Sequence, residues 1–236
     1  MSDKAIDKVM IAEHIFEVRH EASGAFLDVR GDVADYIRQE EHFFPHWSID
    51  DNVVNFRDDP QKIVKEGGFV GFKSAGYVAF NPETRNYFMD RASAFWKILL
   101  KNPHFPLPTP TRFGTRTKIF IPCPKAFNDI NKQMYEALFT EEARLLFDGN
   151  EQDLMFTVEI KEAGFDIRVI GGPIHKDEAS KHFQFKSDYF EKCGLFLDID
   201  YYRTSNLTQK DVPQLLRTSI ELMWKKAEGI ARGLGF

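Results

Sequence analysis

Arg112-Phe-Gly-Thr-Arg-Thr-Lys-Ile-Phe-Ile-Pro122 (RFGTRTKIFIP) is the stretch whose reading decides the fold. Phe113, Ile119 and Ile121 fall on one side of it, and Arg112, Arg116 and Lys118 on the other. That is the period-two signature of a strand with one dry and one wet face. It directly follows residues 102–111 (NPHFPLPTPT), which hold four prolines. Proline removes a donor and fixes φ, so neither a helix nor a central strand is expected there. The segment reads as a linker, after which the order of elements begins again.

Downstream of the strand, KAFNDINKQMYEALF places Phe127, Ile130, Met134 and Leu138 on one helical face. LMFTVEIKEAGFDIRVI reads as a hairpin turning at Ala163-Gly164, and GLFLDIDYYR (194–203) as a further strand. A long final helix carries the stripe Val212, Leu215, Leu216, Ile220, Met223, Ala227 and Ile230, with Asp211 and Gln214 as a capping-box start. Upstream of the linker, AEHIFEVRHE (12–21) is a strand with His14, Phe16, Val18 and His20 opposed to Glu13, Ile15, Glu17 and Arg19. A helix is predicted over 33–44, with Asp32 as N-cap and Pro45 as its stop. WSIDDNVVNF and GFVGFKSAGYVAFN read as strands, the latter a hairpin turning near Ser74-Ala-Gly76. A helix from Thr84 follows, burying Phe88, Phe95, Trp96, Leu99 and Leu100.

Each half thus reads strand, helix, several antiparallel strands, helix. The expected fold is α+β: a curved antiparallel sheet with helices on one face, built as a tandem pseudo-duplication of saddle-like or helix-grip type. The halves are 1–101 and 112–236, intimately packed and joined by the linker. A single irregular α+β domain is the plainer alternative.

Composition sets the outer bounds. The 236 residues are 43% hydrophobic and 28% charged, which fits a globular chain that buries a substantial core. Phe is over-used, 23 against 7 Tyr and 3 Trp, so the core is expected to be built from rings without polar atoms. A net charge of −5 removes the global attraction expected of a non-specific nucleic-acid binder, so nucleic acid is not the expected partner. The opening residues have no signal-like apolar core, and no run approaches the ~18 apolar residues of a membrane span. Cys123 and Cys193 lack Cys-x-x-Cys spacing and read as free thiols. A cytoplasmic location away from membranes is expected.

Three stretches carry a family resemblance. IAEHIFEVRHE, RFGTRTKIFIP and LFLDIDYY resemble, in that order, the three characteristic strands of a sporadically distributed family of uncharacterised prokaryotic proteins. Its members have an apolar-Glu-x-x-Phe-Glu-x-Arg opening strand, an Arg-x-Gly-x-Arg middle strand and a late Asp-containing strand. This chain has Ile11-Ala12 where members usually place a proline before the first Glu, and Thr117-Lys118-Ile119 where they often have Tyr-Ile-Asn. The resemblance implies no activity; the scattered distribution implies an accessory role, such as a component of a defence or mobile-element system.

The candidate sites lie on the wet strand faces. In GLFLDIDYYR, Asp198 and Asp200 share a face, roughly 7 Å apart along the strand. A divalent ion could bridge them, with Glu17 as third ligand and Arg116 facing substrate, in a phosphoryl-transfer or nuclease-type enzyme. Against this, the chain has no Gly-rich phosphate loop and no further acidic motif of known spacing. The preferred reading pairs both aspartates with basic side chains, Arg116 first, within a polar cluster of Glu17, Arg19, Arg112, Arg116, Lys118, Asp198 and Asp200. A neighbouring arginine is expected to lower the pKa of both aspartates.

His42, His46, His175 and His182 show no His-Glu-x-x-His or zinc spacing and read as surface or packing residues; Gly171-Gly-Pro173 reads as a strand-ending turn. No nucleophile elbow occurs, and Cys193 reads as an unreactive thiol. The function expected is a non-enzymatic adaptor that binds another protein, without cofactor or catalytic metal. The Asp198/Asp200 metalloenzyme and a small-ligand sensor are the alternatives, and a homo-oligomer is left open.

Overall fold

The computed structural model describes residues 9–39, 44–58, 64–147, 149 and 152–236. His42 lies outside them. β1 (Ile11–His20) is followed by α1 (Ala25–Arg38), β2 (His46–Ile49), β3 (Val53–Arg57), β4 (Glu66–Gly71), β5 (Ser74–Phe80) and α2 (Arg85–Lys101). Then come β6 (Pro110–Pro122), α3 (Phe127–Leu138), the short α4 (Glu141–Arg144), β7 (Phe156–Glu162), β8 (Phe165–Ile174), β9 (Gly194–Arg203) and α5 (Val212–Gly233). Among the described residues the nine strands form one open antiparallel sheet in the order β2-β3-β4-β5-β1-β6-β9-β8-β7. Among the described residues no helix is long and apolar enough to cross a membrane.

Period two explains the layering. Phe16 and Val18 of β1, Phe113, Ile119 and Ile121 of β6, and Leu195, Leu197, Ile199 and Tyr201 of β9 all point to one side and are buried. There they join one cluster with Phe26 and Val33 of α1, Phe88, Phe95 and Trp96 of α2, Ile130 and Met134 of α3, and Leu216, Ile220 and Met223 of α5. The four long helices therefore share one face. The other face is partly covered by residues 175–193, a strap with two 3₁₀ turns, over a second cluster of Ile11, Phe120, Ile174, Phe183, Phe190 and Phe196.

Several local expectations change. α1 starts at Ala25, so Asp32 lies inside the helix instead of capping it. Gly31 is tolerated mid-helix; a Cβ there would meet nothing within 4 Å. The β4–β5 turn falls at residues 72–73, while Gly76 sits within β5 because its missing Cβ admits the Phe69 ring and the Phe16 carbonyl. Gly171, Gly172 and Pro173 continue β8 instead of ending it, beneath Phe156 and Met155. Asp211 makes no side-chain cap to α5; it accepts from the Thr208 hydroxyl at 2.7 Å. Leu100 is exposed, unlike the rest of its expected face. Phe105 and Leu107, between the linker prolines, are buried in the main cluster.

Candidate functional site

The central strands β1, β6 and β9 bring all seven candidate residues to the sheet face opposite α1, α2, α3 and α5. The β1–β6 register sets Glu13 opposite Lys118, Glu17 opposite Gly114 and Arg19 opposite Arg112. The β6–β9 register sets Lys118 opposite Asp198 and Arg116 opposite Asp200. Lys118 keeps its direct opposition to Glu13, while the arginines pair away from the residues they oppose. Arg116 donates from Nε to Asp198 Oδ1 at 2.8 Å and from Nη2 to Oδ2 at 2.5 Å, a fork matched to both oxygens. Arg112 donates from Nη2 to Asp200 Oδ2 at 3.2 Å and lies 3.8 Å from Glu17 Oε2. Arg19 Nε donates to Glu17 Oε2 at 2.8 Å.

Gly114 makes room for this geometry. A Cβ at 114 would lie 2.7 Å from Arg112 Nη1, so the guanidinium folds over bare backbone. It also lies over the Tyr202 ring, 5.0 Å from its centroid. Asp198 is nearly covered at 9% side-chain exposure, while Arg116 is half in solvent at 50%. The fork and the charge of Asp198 raise the Arg116 pKa above its ordinary value against the opposing effect of burial. Asp200 departs from the expected lowering. Burial raises its pKa, and the charges of Arg112 and Arg116 do not fully offset that.

Lys118 belongs to a different unit. Its ammonium donates to Glu13 Oε1 at 2.8 Å and to the His182 carbonyl at 2.8 Å, and Glu13 Oε2 accepts from the Gln184 amide at 2.7 Å. The pair clamps the strap to the sheet. Glu13 was placed on the correct face by periodicity; its binding to the strap depends on tertiary contacts 171 residues away.

A second polar hub lies under the helices. Glu66 of β4 accepts from Tyr77, from Tyr87 at 2.7 Å, and from Arg91 at 2.5 and 3.2 Å. Burial alone would raise the Glu66 pKa, but hydrogen bonds from Arg91, Tyr77 and Tyr87 bring it below its ordinary value. Burial, then the bond to Glu66, pushes Tyr87 up to about 12. The only sequence signal for the hub is the four-residue spacing of Tyr87 and Arg91 on α2.

The histidines and thiols are placed as follows. His14 is buried, stacked on Phe88 at 4.8 Å, with Nδ1 2.9 Å from Thr117 Oγ1. Burial lowers its pKa to about 3, so it is neutral at physiological pH. His175 stacks on Phe127 at 3.5 Å, His182 lies beside Phe196 at 4.6 Å, and His46 is exposed on β2. Cys123 and Cys193 are free thiols at neighbouring strand ends, joined by a 2.8 Å backbone bond. Among the described residues no cluster of three or more His, Cys, Asp or Glu is arranged to hold a metal ion.

An apolar groove of about 460 Å³ opens between α3, α5 and the strands β7 and β8; Leu138, Phe156, Val158, Ile160, Ile230 and Leu234 are among its walls. Neither a protein-family model nor a curated protein matches the chain.

Proposed function

We propose that the protein is a non-enzymatic binding component that holds another protein against the sheet face opposite its long helices. The observation carrying this reading is the ladder Arg19–Glu17–Arg112–Asp200 beside the Arg116–Asp198 fork. Asp198 spends both oxygens on Arg116, so it is poorly disposed to ligate a divalent ion or act as a base. Alternating charges fixed in register suit recognition of a second charged surface, where they contribute specificity and on-rate more than raw affinity. Two free thiols support a reducing, cytoplasmic setting.

Affinity capture on the immobilised protein, run in parallel with Arg116→Glu, tests the reading. A protein retained by the wild type and lost from the folded variant supports it. Retention indifferent to Arg116 removes the ladder as the docking site. Calorimetric titration with Mg²⁺ or Mn²⁺ tests the metalloenzyme alternative: tight binding that vanishes in Asp198→Asn would replace the adaptor reading with it.

The same proposal includes a tandem duplication of 1–101 and 112–236 about the 102–111 linker, in a curved, saddle-like sheet. Strand order supports it: β1 and β6 are central neighbours, and each is flanked outward by the last strand of its own half, β5 or β9. The tight turns do not support it. β4–β5 are third and second from the centre of their half, whereas β7–β8 are fourth and third of theirs. Superposition of 9–101 on 110–236 checks the idea, and non-coincident helices would end it.

A further inference from the structure

We propose that the protein self-associates through β7, two copies pairing these outer strands antiparallel about a twofold axis at Ile160. Among the described residues β7 ends the sheet, with seven residues against the four of β2 at the other edge. It has no proline and pairs with β8 in unbroken register, so it lacks two common devices that blunt an edge. The helices pack mainly inboard of it: α3 on β8, and α5 on β6 and β9, with α5 reaching the end of β7 through the Lys226–Glu162 ion pair at 2.9 Å. Val158 and Ile160 on the helix side are therefore 45% and 38% exposed, along the apolar groove.

The turn determines which backbone groups face outward. Ala163 and Gly164 have φ of 51° and 80°, as in a two-residue type I′ hairpin. Such a turn makes Glu162 and Phe165 a hydrogen-bonded pair, and the alternation then directs Ile160 and Val158 toward β8. The amides and carbonyls of Thr157, Glu159 and Lys161 face outward, available to another strand.

Charge then selects the register. An axis at Glu159 sets two carboxylates face to face, and one at Lys161 sets two ammonium groups face to face. At Val158, Glu159 meets only Thr157. At Ile160, Glu159 of each copy meets Lys161 of the other, twice, and Ile160 meets itself. Arg116, Asp200, Arg168 and Glu159 already stand opposite one another across four strands. Lys161 and Asp166 of the second copy continue that row with the sign alternating throughout. A twofold perpendicular to the sheet keeps both helical layers on one side, so the two apolar grooves meet at the axis. This edge is separate from the ladder proposed above, and the failure of either leaves the other standing.

Sedimentation of the full-length protein is expected to show a concentration-dependent dimer. Residues facing across an antiparallel non-hydrogen-bonded pair have Cα atoms about 4.5 Å apart, within disulfide range. In a Cys123→Ser/Cys193→Ser background, Ile160→Cys should give a covalent dimer when its two thiols reduce glutathione disulfide. Val158→Cys should not, since its copies stand roughly 13 Å apart along the strands. Lys161→Glu should weaken the dimer roughly tenfold through two lost charge pairs. A wild type that stays monomeric, or crosslinking at 158 in preference to 160, overturns the proposal. So does a monomeric chain whose β7 edge takes up a different protein.

Discussion

Glu13 and Asp198 are both paired acids on the same sheet face, yet their burial gives them different consequences. Glu13 has no exposed side-chain surface, and Lys118 is mostly covered. Lys118→Met should leave a buried carboxylate without its cation, a loss of about 3–5 kcal/mol. Asp198→Asn keeps the shape and one acceptor beside a half-exposed arginine, and should cost only about 1 kcal/mol. Urea unfolding of both variants separates the cases; equal losses would contradict the division into clamp and ladder. His14 supplies the pH dependence. Its folded pKa of about 3 lies below the ordinary 6.5, so its contribution to stability is complete above 6.5 and lost as pH falls toward 3. Denaturation across that window should show a slope that flattens in His14→Gln. Asp200 has the opposite sign: its raised pKa favours the folded state at low pH, and that contribution is lost as pH rises through the folded value.

At the scale of strands and helices, glycines show where the backbone itself is committed. A methyl at Gly76 would lie 2.1 Å from the Phe16 carbonyl oxygen and 2.5 Å from the Phe69 ring. Gly76→Ala should therefore destabilise by about 1–3 kcal/mol or more, because backbone must move. Gly114→Ala displaces only the end of a flexible arginine, and thermal melting should place it well above Gly76→Ala. This contrast also shows what was legible in the sequence. Alternation in β1, β6 and β9 assigned each side chain to its face, because a strand's period admits only two sides. It could not distinguish a turn glycine from one beneath a ring, and so misplaced the β4–β5 turn. Asp32 misled the start of α1 because a good capping residue also occurs where no helix begins. Diagonal pairing of Arg112 and Arg116, and the Glu66 hub, depend on neighbours that only the assembled sheet and helices supply.

For the whole molecule, the question is whether the halves unfold together. The β1–β6 ladder joins them along Ile11–His20, and Phe16 packs on Phe113 at 5.8 Å across the seam. Above the sheet α2 meets α5: Arg85 pairs with Glu228 and lies 4.9 Å from the Trp224 ring centroid. Trp96 Nε1 donates to the Gln209 carbonyl at 3.0 Å, while the Gln209 amide reaches back to Leu107 in the proline-rich segment. A cut at residue 110 would strip β6 of its central neighbour and uncover one side of the common core. Denaturant unfolding of the intact chain should therefore be a single transition, coincident by tryptophan fluorescence and by far-UV circular dichroism. Residues 110–236 expressed alone should show neither a sigmoidal melt nor dispersed amide resonances. Two resolved transitions, or a folded fragment, would mean that the seam is an interface between independent domains instead of the middle of one core.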